Sequence, residues 1–301
     1  MTVAGGSRAR LAYVAEVTYG TTPATPSFKT LNPTNHSLGL EKEGFQSETI
    51  RSDRQIADFR HGVRSVAGDI GTEFRDASLD DLLEAVMMGT WATDVLKSGT
   101  TRRSFTIERY FGDITRYRRA TGCEFNTFSL DCPASGIVKA TFGVIGNDDA
   151  GAGTAISGAT YAADPNDMVM DSLSGAITVH GSPVTVITGI KLSLDNGIQN
   201  NAVVGETTKI RGAAGRSNVT GELTAFYESD TLLDAFDTEA EVAIVFTLTD
   251  GTATYTFTLP KVKFTGGKPE VGGEREISIT MPFQAIYSSS DATQLKIERA
   301  W

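Results

Sequence analysis

Apolar and polar residues alternate one by one along much of the chain, which is the pattern of half-buried β-strands. Ala243-Ile-Val-Phe-Thr-Leu-Thr and Thr252-Ala-Thr-Tyr-Thr-Phe-Thr-Leu both alternate, with Asp250-Gly251 between them. That arrangement predicts a β-hairpin, because glycine supplies the positive φ a tight turn needs. Ile277-Ser-Ile-Thr-Met and Val184-Thr-Val-Ile-Thr-Gly-Ile-Lys-Leu-Ser-Leu alternate in the same way, and 121–130 also reads as strand. Helical spacing is rare. Over 79–88, Leu79, Leu82, Leu83 and Val86 share one face. Ser78 is placed to cap that helix, and Asp80-Asp81 complements its dipole. A shorter helix is expected over 230–236.

The order of these elements occurs twice. Leu38-Gly-Leu-Glu-Lys, a long polar stretch, Arg64-Ser-Val-Ala-Gly-Asp-Ile-Gly-Thr-Glu-Phe and Asp81-Leu-Leu-Glu-Ala form the first series. Leu192-Ser-Leu-Asp-Asn, another polar stretch, Arg216-Ser-Asn-Val-Thr-Gly-Glu-Leu-Thr-Ala-Phe and Leu232-Leu-Asp-Ala form the second. Strand patterns then follow in matching order: Phe105-Thr-Ile-Glu with Phe246-Thr-Leu-Thr, Cys123-Glu-Phe-Asn with Val262-Lys-Phe-Thr, and Val138-Lys-Ala-Thr-Phe with Ile277-Ser-Ile-Thr-Met. Several matches in one order argue for a duplicated domain. The expected modules are 1–148, with a long loop at 44–66 and a helix at 79–88, and 166–301, with a long loop at 197–216 and a short helix at 230–236. The Gly-rich polar stretch from Gly146 opens an expected linker over 149–165. Segments 21–31 and 161–171 carry prolines and little alternation, and read as extended arms.

At 301 residues there is room for two domains with cores of their own. The net charge of −10 argues against a protein that grips nucleic acid, a task that needs a basic face. Up to residue 150 there are 17 basic against 19 acidic side chains, and beyond it 10 against 18. The first half, rich in both signs, suits polar contacts with neighbouring chains, or an ordinary solvated surface. Cys123 and Cys132 sit in or at the end of one expected strand, about 30 Å apart if extended. They should therefore stay unpaired thiols, as in a reducing compartment. The sequence offers no apolar run long enough to span a bilayer and no apolar secretion signal at its start, so folding in the cytoplasm is expected.

Chemistry-bearing patterns are sparse. His36, His61 and His180 are dispersed and lack zinc spacing, and His180-Gly181 reads as a turn. The cysteines lack Cys-x-x-Cys spacing, and neither a phosphate loop nor a Gly-x-Ser-x-Gly elbow occurs. Asp148-Asp149 reads as solvated linker, since the ordered ligand spacing of a calcium loop is missing. No catalytic, cofactor-binding or metal-binding residue is assigned, and no enzyme is expected. The unusual stretch is 48–64, with Arg51, Asp53, Arg54, Asp58, Arg60 and Arg64 close together; its counterpart carries Glu206, Lys209 and Arg211. Arginine forks suit carboxylate pairing across an interface, so these nine residues are the candidate inter-subunit and inter-ring contacts. A mobile surface loop is the alternative.

Three stretches carry a family resemblance. Ala12-Tyr-Val-Ala-Glu-Val-Thr-Tyr-Gly-Thr-Thr-Pro-Ala-Thr-Pro is similar to the opening of tail tube proteins from long, flexible-tailed bacteriophages. Ile190-Lys-Leu-Ser-Leu-Asp-Asn-Gly-Ile with Val204-Gly-Glu, and Arg216-Ser-Asn-Val-Thr-Gly-Glu-Leu, resemble the core of the same family. The resemblance implies two tandem β-sandwich or barrel modules, each with one short α-helix, plus extended arms and long inter-ring loops. It implies a structural virion protein without cofactors. Its stacked rings, trimers with pseudo-sixfold symmetry, would form a tube that conducts DNA through an acidic lumen without binding it specifically. The implied partners are further copies of the chain and other tail proteins: the tape measure, the terminator and the distal tail. Assembly would occur in the host cytoplasm. The competing readings are a tandem immunoglobulin-like or carbohydrate-binding module, and a related terminator or distal ring protein. Reversing Arg51, Arg54 and Arg60 to Glu is expected to block polymerisation and leave a folded monomer, a result electron microscopy would read directly.

Overall fold

The computed structural model describes residues 3–171, 177–179, 181–183, 186–274 and 276–301. Strand makes up 52% of the chain and helix 7%, so the mainly-β expectation holds. The first half contains β1 (Gly39–Gln46), β2 (Phe59–Glu73), α1 (Asp80–Met87), β3 (Phe105–Phe111), β4 (Arg116–Pro133) and β5 (Lys139–Gly146). The second contains β6 (Ile187–Asp195), β7 (Asn218–Phe226), α2 (Thr231–Asp237), β8 (Val242–Thr249), β9 (Thr254–Phe264), β10 (Lys268–Glu270) and β11 (Ser278–Ala285). The turn expected at His180 lies outside the described residues, as do the first two residues of the strand expected from Val184.

Both halves pair their strands in the same antiparallel order. β1 pairs β2, β2 pairs β5, and β5 pairs the C-terminal part of β4. Correspondingly, β6 pairs β7, β7 pairs β11, and β11 pairs the end of β9 and then β10. Registers correspond as well: Leu40 faces Val66 as Leu194 faces Val219, and Phe105 faces Cys123 as Val242 faces Val262. β6 then pairs β4 with Leu192 opposite Leu130. One continuous sheet therefore runs β1–β2–β5–β4–β6–β7–β11–β9/β10 through both halves.

β4 is long enough to serve two sheets. Its N-terminal part leaves the continuous sheet and pairs β3, with Ala9–Ala15 and Ser27–Leu31 beyond it and Asp148–Ala152 on the other side. The bend falls where the β3–β4 register shifts. There Gly122 adopts φ +61°, and a side chain would meet the Tyr19 ring and Asn147 Cβ at 2.9 Å, so glycine alone fits. β9 switches sheets in the same manner, pairing β8 and Lys296–Ala300 at its start. Val95–Lys97 of the first half adds to the outer side of Lys296–Ala300.

The inward positions of these layers fill one core. Phe105, Phe125, Phe128 and Phe142 pack edge-on or tilted in the first half. Toward the second, Phe74 meets Tyr255 and Phe257 edge-on, and Phe246 lies parallel to Phe257. α1 buries Leu82, Leu83, Ala85, Val86 and Met87 on this core. Ser78 does not cap it: Leu79 holds the N-cap position without a side-chain bond. Tertiary contacts pin the first turn instead, since the Asp80 carboxylate accepts from the Tyr255 hydroxyl at 2.7 Å and pairs with Arg299. Burial holds the Asp80 carboxyl above its ordinary range, opposed by those two partners.

Two loop expectations change. The Asp250-Gly251 turn is a four-residue loop, 250–253, in which Asp250 Oδ1 accepts the amides of Thr252 and Ala253 at 2.8 and 2.7 Å. The stretch expected as solvated linker contains a strand, Asp148–Ala152, with Asp149 4% exposed. Pairing with β4 makes it a strand, and two arginines claim the Asp149 carboxylate.

Candidate assembly edges and channel face

Strand alternation gives the continuous sheet one face buried against the second layer and one face open. Phe128, Leu130 and Cys132 of β4 and Ile190, Leu192 and Leu194 of β6 point into the core. Their neighbours Ser129, Asp131, Lys191, Ser193 and Asp195 point out, exposed. The open face is concave at its centre, where Ser129, Asp131, Lys139, Thr141, Lys191, Ser193, Thr220 and Glu222 line a shallow depression. Most of its side chains are polar, with Phe226 and Ile145 the large apolar exceptions. Alternation adds Glu41, Asp69, Glu73, Glu270, Lys263 and Lys268 to the same face, so seven acids, Asp131, Asp195 and Glu222 included, stand against four lysines. Lys191 sits 3.9 Å from Glu222, a contact too long and exposed to remove either charge from the surface.

The sheet ends in two edges that pair with no strand among the described residues. One is the outer side of β1, continuous in register with Pro33–His36, which also pairs β2. The other is the outer side of β10, whose three residues are all exposed. An unpaired edge offers its backbone groups to a further strand, and the short β10, with Lys268 and Pro269, carries residue types that also serve to restrict such pairing. At the first edge His36 is held below its ordinary pKa by burial and then by the Arg109 charge, so it stands neutral there at pH 7.

Beyond that edge, β1 and β2 continue further than expected, to Gln46 and from Phe59, so the long loop of 44–66 contracts to 47–58. Phe59 covers Gly44 and Phe45 covers Gly62, each ring filling the space above a cross-strand glycine. The tip exposes Ile50 and Ile56 at 97% and 62%. Of the nine expected contact residues, Arg51 pairs with Asp53 at 2.6 Å and Arg60 with Asp58 at 3.5 Å, both within the hairpin. Arg54 is exposed at φ +58°. Glu206 is exposed in the second loop. The other three join the halves of this chain. Lys209 reaches Glu43 at 3.4 Å, Arg211 reaches Glu124 at 2.6 Å, and Arg64 exchanges backbone hydrogen bonds with Thr207 and Lys209 while pairing Asp148. The second long loop thus rests on the base of the first hairpin.

Sequence reasoning missed three buried carboxylates, each held between two arginines. Glu108 takes Arg10 and Arg119, Glu124 takes Arg102 and Arg211, and Asp149 takes Arg109 and Arg118. Their side chains are 0%, 3% and 1% exposed. The mixed charge of the first half is therefore partly spent inside it. Tyr161 also donates to Glu108, and burial followed by that bond pushes its phenol up to about 12. Cys123 and Cys132 are buried free thiols on the same strand, both raised in pKa, chiefly by burial. No group of His, Cys, Asp or Glu suited to hold a metal ion is found among the described residues, and none of their helices is long and apolar enough to cross a membrane.

The chain is thus a mainly-β subunit with a mostly polar open sheet face, an unpaired edge at each end and an apolar-tipped hairpin. The family model for phage tail tube proteins matches residues 6–285, and the chain belongs to that family. A search of curated proteins finds no match. The family is structural, and membership implies self-assembly, contact with other tail proteins and a place in the virion tail.

Proposed function

We propose that three copies of this chain close into a ring of approximate sixfold symmetry, and that rings stack into the tube through which phage DNA leaves. One observation carries this reading: the two halves join through β4 and β6 into a single sheet whose ends are left as matching free edges. On this reading the halves, 1–148 and 166–301 with 149–165 between them, are copies of one module, in keeping with their corresponding registers. Each further chain repeats the joint already present within the first.

The open polar face then lines the bore. Its excess of carboxylates repels the phosphate backbone, the reverse of the counterion release that drives DNA binding. The hairpin with Arg51, Asp53, Arg54, Asp58 and Arg60 reaches the adjacent ring, and Glu206 at the second loop does the same from the other half. The tape measure occupies the bore before DNA does, and terminator and distal tail proteins close the tube's ends.

Electron microscopy of the purified protein tests this. Tubes built of three-chain rings are expected; single closed rings would favour a terminator or distal ring protein, and persistent monomers would overturn the reading. A second test addresses the bore. The triple variant Asp131→Lys, Asp195→Lys, Glu222→Lys is expected to form tubes that retain DNA at low salt and release it as salt rises. Gel mobility equal to that of wild-type tubes would place these side chains away from the bore.

A further inference from the structure

The joint within the chain is a template for the joint between chains, down to the register. This inference rests on the ring reading above. Paired registers equate β4 with β9–β10: Cys123 and Val262 occupy one place, as do Leu130 and Pro269, because Leu130 faces Ala140 as Pro269 faces Ile279. They likewise equate β6 with β1, Leu194 with Leu40. Transferring the pairs Leu130–Leu192 and Ser129–Ser193 then sets Pro269 opposite Leu38, and Lys268 opposite Gly39, of a second copy.

We infer that the edge over 265–271 of one copy pairs antiparallel with the edge over 36–42 of the next, Lys268 facing Gly39 and Gly266 facing Glu41. Hydrogen-bond parity agrees. Within the chain, Ala134 and Asn196 donate to Thr188 and Asn126, so the even-numbered residues of β4, Leu130 included, aim their backbone groups at β6. Pro269 therefore aims its nitrogen outward, the side on which an edge strand tolerates proline. On the receiving edge the Ser37 amide donates to the Asp69 carbonyl, so the backbone groups of Leu38 point outward. The Leu38 carbonyl is already taken by the guanidinium of Arg109, which Asp149 holds from behind. The one position in the joint without an N–H to give thus meets the one carbonyl that already has a donor. A slip by two residues would set an outward N–H against that occupied carbonyl and leave Pro269 facing an acceptor with no other partner. Lys268 also comes within diagonal reach of Glu41, a favourable charge pair across the edge.

Cysteine cross-linking tests the register, since Cys123 and Cys132 are buried and do not compete. A side chain at Gly39 meets nothing closer than the Ser37 carbonyl at 3.8 Å, and one at Gly266 meets Pro282 at 3.6 Å, so both sites accept cysteine. The variants Gly39→Cys/Lys268→Cys and Glu41→Cys/Gly266→Cys should assemble when reduced and, once oxidised, run mostly as disulfide-linked multimers on denaturing gels. The slipped combinations Gly39→Cys/Glu270→Cys and Glu41→Cys/Lys268→Cys should remain monomeric on the same gels. Tubes that form normally but cross-link only in a slipped combination, or in none, would overturn the register and leave the ring reading standing. Failure of the unmodified chain to form rings or tubes would overturn both.

Discussion

Asp149→Ala is expected to lower folding stability by about 3–5 kcal/mol, the usual cost of removing one partner from a buried charge cluster. The lost carboxylate holds Arg109 at 2.5 Å and Arg118 at 3.0 Å, and it is 1% exposed. Arg118, 41% exposed, can turn to water, but Arg109 at 7% cannot and would be left buried without a counter-charge. For a chain of this size the corresponding fall in Tm is on the order of 10 °C. Asp148→Ala is the control: its pair with Arg64, 3.3 Å long, is part-exposed on both sides, and its loss should cost about 1 kcal/mol or less. Replacing both buried partners, Arg109→Met with Asp149→Leu, should recover much of the loss, since an apolar pair leaves no charge stranded. Denaturant unfolding of the four proteins checks this. Equal costs for Asp148→Ala and Asp149→Ala would show that burial of the cluster does not govern its energetics.

The second large effect concerns assembly. Ile50→Asp/Ile56→Asp should leave the monomer within about 0.5 kcal/mol of wild type, because neither side chain has a place in the core. Tube elongation, by contrast, should be lost. Burying two isoleucines contributes roughly 3–6 kcal/mol per chain, and in the proposed stack every ring repeats it. Exposed apolar residues clustered at the end of an ordered hairpin are a liability for a lone molecule and an asset for one that is covered. Sedimentation and electron microscopy give the readout: folded monomers or isolated rings are expected. Tubes of normal length would remove the hairpin tip from the ring-to-ring contact.

Some errors in the sequence reading share one cause. Asp148-Asp149 looks like solvated linker because its neighbours are glycine and alanine; pairing with β4 makes it a strand, and Arg109 and Arg118, 40 and 31 positions from Asp149, bury that one carboxylate. The capping role expected of Ser78 fails because Tyr255 and Arg299, from the other end of the chain, hold the helix start. Apart from those errors, the partners that Lys209 and Arg211 reach within the chain, Glu43 and Glu124, also carry no local signal. Long-range ion pairs leave no period in a sequence.

Strand content, the positions of both helices, the unpaired cysteines and the tail tube family were legible in the order of residues alone. Period-two alternation and repeated segments are local properties that each stretch carries by itself. What the tertiary structure decided was which strands meet: that β4 and β9 serve two sheets, that β6 closes onto β4, and which charges are buried. Those outcomes depend on backbone hydrogen bonds and ion pairs between segments tens to hundreds of positions apart, where pairing energy is set by geometry and burial and not by neighbouring residue types.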